Sequence, residues 1–165
     1  MDEKNIPWKE KIIITGITHD LKQSKITVSG IEDVPGVASK IFKPIGSAGI
    51  VVDMIVQNIS TNKKTDLTFT IPKDDLNKTV KILKLNMAKI NYKKIIQNKD
   101  IALVSIVGAG MKTHTGIATR MFDSLSRSKI NISMISTSEI KISCVIEQAK
   151  CKKAIQSLHK EFKLG

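Results

Sequence analysis

The sequence predicts an α+β fold built from two βαββαβ modules, and three observations lead there. The first is an internal repeat: displaced by 80 positions, residues 26–59 fall on 106–139 without a gap. The copies agree at Ile26/Ile106, Gly30/Gly110, Gly36/Gly116, Ala38/Ala118, Phe42/Phe122, Ile50/Ile130, Met54/Met134 and Ile55/Ile135. Eight identities in 34 positions exceed the roughly two or three expected by chance in so Ile- and Lys-rich a chain. The second observation is that both copies alternate strand-like and helix-like periodicity in the same order. The third is an imbalance: the second copy stops one strand short, whereas the chain opens with a strand-like segment that the first copy does not need. Residues 11–19 are therefore expected to complete the second module, because an unpaired edge in a small sheet is costly. The modules then comprise 20–98, and 11–19 plus 99–164, the first inserted within the second.

Each element has its own signal. "KITVSGI" alternates as a strand, and the turn "EDVPG" leads into "VASKIFKPIGSAG", where Val37, Ile41 and Ile45 recur at helical spacing until Gly49 stops the helix. Pro44 argues against its last turns, since it lacks an N–H and crowds the preceding turn. "IVVDMIVQNIS" is β-branched and strand-like, "TNKK" is a loop, and "TDLTFTIP" is a strand ending at Pro72. A second helix follows over 73–90 with Leu76, Val80, Leu83 and Met87 on one face, and then a short strand "YKKIIQN". This βαββαβ order is the ferredoxin-like unit. The second copy reads "IALVSIVGAG", "TGIATRMFDSLSRS", "INISMIST", "EIKISCVIE" and "AKCKKAIQSLHKEF".

Composition bounds the function. With 41% apolar and 25% charged residues the chain is globular, and no run approaches the roughly 18 apolar residues of a membrane span. The charged start "MDEKNIPWKE" has no signal-peptide core, which suggests the cytoplasm and no membrane partner. Cys144 and Cys151 lack metal or disulfide spacing and read as packing residues, and the three histidines stand apart, so neither metal, cofactor nor catalytic centre is expected. The net charge of +12 invites a nucleic-acid reading. Yet only two of the 27 basic residues are arginine, the lysines are scattered as on solvated faces, and the strands that would stack bases contain no aromatics. "VGAGMK" fails as a dinucleotide fingerprint, because Thr113 stands where the third glycine belongs.

"DVPG" is the stretch with chemistry. A free α-amino acid holds an ammonium and a carboxylate roughly 2.5 Å apart, so its pocket needs an anion beside an anion-binder. Asp33 offers the first, and the N–H groups of Gly36, Val37 and Ala38 at a helix start offer the second. Gly36 has no Cβ to block approach, and Ala38 keeps the wall shallow. On residues alone, the same turn reads equally well as an N-cap at Asp33 followed by a plain Pro35–Gly36 turn. The second copy has Thr113 in place of Asp33, so the modules are not equivalent pockets.

Paired modules with an acidic-Pro-Gly turn resemble tandem ACT domains. More narrowly, "DVPGVASKIF", "VDMIVQN", "TDLTFT", "VGAGMKTHTGIA" and "ISTSEIKIS" resemble the regulatory region of aspartate kinase, from about residue 11 to 164. The resemblance implies a regulatory subunit or fragment without the kinase domain, a homodimer that binds threonine and/or lysine for feedback inhibition of a catalytic aspartate kinase subunit or domain. Its inhibitors would lie between a module of one chain and the other module of the partner. By resemblance the site takes in Asp33, Pro35, Gly36, Val37, Ala38, Asp53, Gln57, Ile117, Ala118, Asn131, Ile132 and Ser138. Ser133 stands where some relatives carry an acid, which favours threonine over lysine. The competing readings are an amino-acid-sensing ACT protein of another enzyme and a basic RNA-binding module.

Overall fold

The computed structural model describes residues 13–59, 62–111 and 116–165. Its strands are β1 (Ile13–Asp20), β2 (Gln23–Glu32), β3 (Ile55–Ile59), β4 (Lys64–Pro72), β5 (Lys94–Asn98), β6 (Ile101–Ala109), β7 (Ile132–Thr137) and β8 (Lys141–Glu147). The helices are α1 (Val37–Ser47), α2 (Leu76–Asn86), α3 (Gly116–Arg127) and α4 (Cys151–Phe162), with short 3-10 turns at Lys73–Asp75, Met87–Lys89 and Gln148–Lys150. Two compact units result: Lys22–Ile101, and the described residues up to Leu21 together with those of Ala102–Gly165.

Each unit is an antiparallel four-stranded sheet, ordered β3-β4-β2-β5 in one and β1-β6-β8-β7 in the other. β1 lies antiparallel to β6, Ile17 opposite Ile106 and Asp20 opposite Leu103, just as β5 lies antiparallel to β2. The N-terminal strand thus takes the fourth-strand place of the second module. Its Ile14 and Ile17 pack on that module's core; Ile12, equally expected there, falls outside the described residues.

The repeat is visible in burial. Val37, Ile41 and Ile45 of α1 are matched by Ile117, Met121 and Leu125 of α3, all buried against the strands. Ile26 and Ile106 are both fully buried, whereas Ile55 and Ile135 are both exposed. Gly30 and Gly110 both have positive φ, at 69° and 76°. In one unit Ile26, Val28, Leu67, Phe69, Leu83 and Met87 form the core, and in the other Val104, Ile106, Cys144, Ile146, Ala154 and Leu158.

Two local expectations need correction. Pro44 lies inside α1, which continues for one more turn to Ser47. The helix keeps its path because Val37, Ile41 and Ile45 remain anchored in the core and the carbonyl of Pro44 still accepts from Ala48 N–H, 3.1 Å away. The strand expected from residue 50 is regular only over Ile55–Ile59. Just before it, two residues oppose Thr70: Asp53 N–H donates to Thr70 O at 3.1 Å and Thr70 N–H to Met54 O at 3.0 Å, so the strand bulges, and the displaced Met54 N–H donates to the Thr70 hydroxyl at 3.1 Å.

Candidate functional site

The "DVPG" turn joins the end of β2 to α1. Asp33 N–H donates to Lys63 O at 3.0 Å, Val34 N–H to Glu32 O at 3.0 Å and Val37 N–H to Val34 O at 3.2 Å, which fold the segment back on itself. Gly36 is the N-cap, at φ 86° in the left-handed region that favours glycine, and no side chain caps the helix. Asp33 is therefore not the N-cap, although its sequence position allowed that reading. A Cβ built on Gly36 would meet nothing within 4 Å, so the space above the helix start is open.

Two acidic residues adjoin at this turn, and they differ. The Glu32 carboxylate accepts from Asn91 Nδ2 at 3.2 Å and pairs with Lys64 Nζ at 3.6 Å. Among the described residues the Asp33 carboxylate is exposed and has no hydrogen bond or ion pair. The expected donor set also changes. Val37 N–H is occupied within the turn, whereas the N–H groups of Gly36, Ala38 and Ser39 find no acceptor among the described residues. Ser39 was not legible in the sequence as a contributor, because which first-turn N–H groups stay open depends on how the preceding turn folds. A free carboxylate thus lies three residues before the N-cap of a helix whose positive end keeps three open N–H groups.

The other candidate residues separate by sheet register. Gln57 is exposed at mid-strand on β3, opposite Leu67. Asp53, also exposed, bonds through its N–H to Thr70, whose partner on β2 is Lys25. That places Asp53 at the far end of the sheet from Asp33, about 20 Å along the strands at roughly 3.3 Å per residue. In the second module Ile117 is buried and Ala118 partly so in the first turn of α3. Ser138 lies in the hairpin between β7 and β8, where its N–H donates to Lys141 O at 2.8 Å and its hydroxyl accepts from Ile140 N–H at 3.4 Å. Asn131 is exposed and Ile132 half-buried at the opposite end, where Ile132 pairs with Ile146. Within each module the candidates therefore form separate groups. Thr113, the counterpart of Asp33, lies outside the described residues.

Among the described residues, no group of three or more His, Cys, Asp or Glu could hold a metal, and no helix is long and apolar enough to cross a membrane. Cys144 and Cys151 are free and buried, and burial pushes the Cys144 thiol up to about 12, as suits packing residues.

A pair of ferredoxin-like modules with an Asp-x-Pro-Gly turn at a helix start is the architecture of an ACT-domain protein, and the ACT domain family model matches residues 26–87 and 104–162. The chain is 47% identical over 155 residues to an aspartokinase of Pseudomonas aeruginosa, a match covering 94% of this chain and 38% of that protein. A Helicobacter pylori aspartokinase is 44% identical over the same length and shares. Among solved structures it is similar to the aspartokinase alpha and beta subunits, with a TM-score of 0.87 and 41% identity over 92% of this chain and 100% of that one. The ligand-free regulatory subunit of aspartate kinase from Thermus thermophilus gives 0.86 and 35%, over 90% and 98%. The chain belongs to the ACT-domain regulatory part of the aspartate kinase family. It spans 38% of the length of the curated relatives it matches.

Proposed function

We propose that this chain is the amino-acid sensor of an aspartate kinase, binding threonine and/or lysine and passing feedback inhibition to a catalytic subunit or domain in the cytoplasm. The observation that carries the reading is the unpaired Asp33 carboxylate three residues before the N-cap of a helix that keeps the N–H groups of Gly36, Ala38 and Ser39 open. Asp33 meets the ligand ammonium and the helix start meets its carboxylate, a charge-assisted pairing at each end of the same small molecule. Gln57 then reads the side chain, and Asn131 and Ile132 of the second module supply backbone and amide partners. The candidates fall at different ends of each module, and in this reading a second copy completes the pocket, which makes the homodimer part of the binding unit.

Calorimetry of the chain with threonine, lysine, methionine and isoleucine tests this. Saturable binding of threonine or lysine, lost in Asp33→Ala, is expected. Binding of methionine or isoleucine alone would assign the chain to another regulatory logic, and binding of none of the four by folded protein would contradict the reading.

A further inference from the structure

Within the helix layer of the first module, acids are confined to Asp74 and Asp75 in the turn before α2, and the rest carries charge of one sign. Lys40 and Lys43 lie on α1, Lys78, Lys81 and Lys84 on α2, and Lys89 in the turn that follows, while none of these segments contains an Asp or Glu. The lysines read as scattered along the sequence are thus gathered by the fold. The second module's helix layer differs. Asp123 and Glu161 interrupt its cations, and Glu161 binds Arg120 at 3.1 Å and Arg127 at 2.6 Å. In the first module Lys78 is used internally, its Nζ donating to Ala48 O at 3.0 Å. The other five lysines form no ion pair among the described residues.

Apolar surface is interleaved with this charge. Leu85, 78% exposed, stands four residues from Lys81 on one stripe of α2, and Lys89 follows in the 3-10 turn just beyond the helix. Alongside, between α1 and the end of α2, a groove of about 530 Å³ sets Lys40, Lys43 and Lys89 around the partly buried Pro44 and Ile90. Uncompensated lysines repel one another, and an exposed leucine among them gains nothing from water.

We propose that the α1–α2 layer is a docking surface for an acidic segment of another protein, with carboxylates set against Lys40, Lys43, Lys81 and Lys89 and apolar side chains against Leu85, Pro44 and Ile90. Charge complementarity fixes the sign of the partner, and the interleaved apolar groups fix its class. A nucleic acid would use arginine forks and exposed aromatic rings. These segments hold no arginine, and their one aromatic, Phe42, is turned inward, edge-on to Phe69 with ring centroids 5.1 Å apart.

The test is fluorescence anisotropy of the full chain with a labelled amphipathic peptide of about 16 residues, built from Glu, Leu and Ala, in about 50 mM salt. Saturable binding is expected, weakened at least about tenfold by the double reversal Lys43→Glu/Lys89→Glu and about threefold by Leu85→Ser. The double reversal Lys152→Glu/Lys153→Glu on the exposed side of α4 changes net charge equally and is expected to stay within about twofold. Circular dichroism establishes that each variant is folded. Absence of binding up to about 100 μM, equal losses in the two double reversals, or tighter binding of a charge-matched single-stranded RNA or an anionic vesicle would each overturn the proposal.

Discussion

Replacing Gly30 by alanine tests how tightly the repeat constrains the chain. Gly30 sits where β2 shifts register against β4, at φ 69°, and its N–H donates to Asp66 Oδ1 at 2.8 Å. An L-residue in the left-handed region costs about 1–2 kcal/mol. The added Cβ would also lie 2.7 Å from Lys93 Cβ and 3.4 Å from Lys93 N. A Cβ cannot swing aside as a side-chain tip does, and Lys93 is held by its own N–H bond to Ser29 O at 2.8 Å, so relief requires moving the entry to β5. Overpacking of this kind adds about 1–3 kcal/mol, for about 2–5 kcal/mol in all. Two controls separate the contributions. Gly36→Ala has positive φ but nothing within 4 Å, and should cost only the backbone share of about 1–2 kcal/mol. Gly16→Ala has neither problem and should be neutral or gain up to about 1 kcal/mol. Urea unfolding, with slopes checked for constancy, gives the three values. A loss at Gly30 no larger than that at Gly36 would refute the reasoning.

Asp33→Ala should reduce effector affinity by roughly 30- to 1,000-fold with little change in urea midpoint, since the carboxylate makes no contact that supports the fold; unchanged affinity by calorimetry would remove Asp33 from the site. Native-state hydrogen exchange should protect the bonded amides of β1 within Ile14–Asp20 to about the same degree as those of β6 within Leu103–Ala109, and rapid exchange throughout β1 would show it is not part of that sheet. Stability should fall as pH rises above about 9. The buried Cys144 thiol is pushed up to about 12, so the unfolded chain releases this proton first and the contribution is lost on going up in pH. Cys144→Ala should flatten that part of the urea-midpoint profile between about pH 9 and 11, and an unaltered slope would contradict it.

The architecture was legible because it rests on periodicity and duplication. Val37, Ile41 and Ile45 face one core and their counterparts the other, and a missing strand in one place implied the spare one in another. What was not legible depended on local competition. Pro44 predicts a break only if the helix has no other anchor, and Ile41 and Ile45 on either side supply one. The irregular start of β3 is a bulge in which Asp53 and Met54 both oppose Thr70, and the Thr70 hydroxyl takes the displaced Met54 N–H, a pairing set by register and not by residue type. At the site, "DVPG" identified the turn, but which of Glu32 and Asp33 stays free was set by Lys64 and Asn91, brought from distant segments. The lysine face is of the same kind, since helical packing gathers charges that look dispersed along the chain.

The most direct test of the sensor account is to follow backbone amide shifts while threonine, and separately lysine, is titrated into the labelled chain. The account predicts that for at least one of them Gly36, Ala38 and Ser39 move first and saturate with the calorimetric affinity, together with Asn131 and Ile132, and that Asp33→Ala abolishes all of these shifts. Saturating shifts that leave residues 33–39 untouched, or that persist in Asp33→Ala, would contradict it.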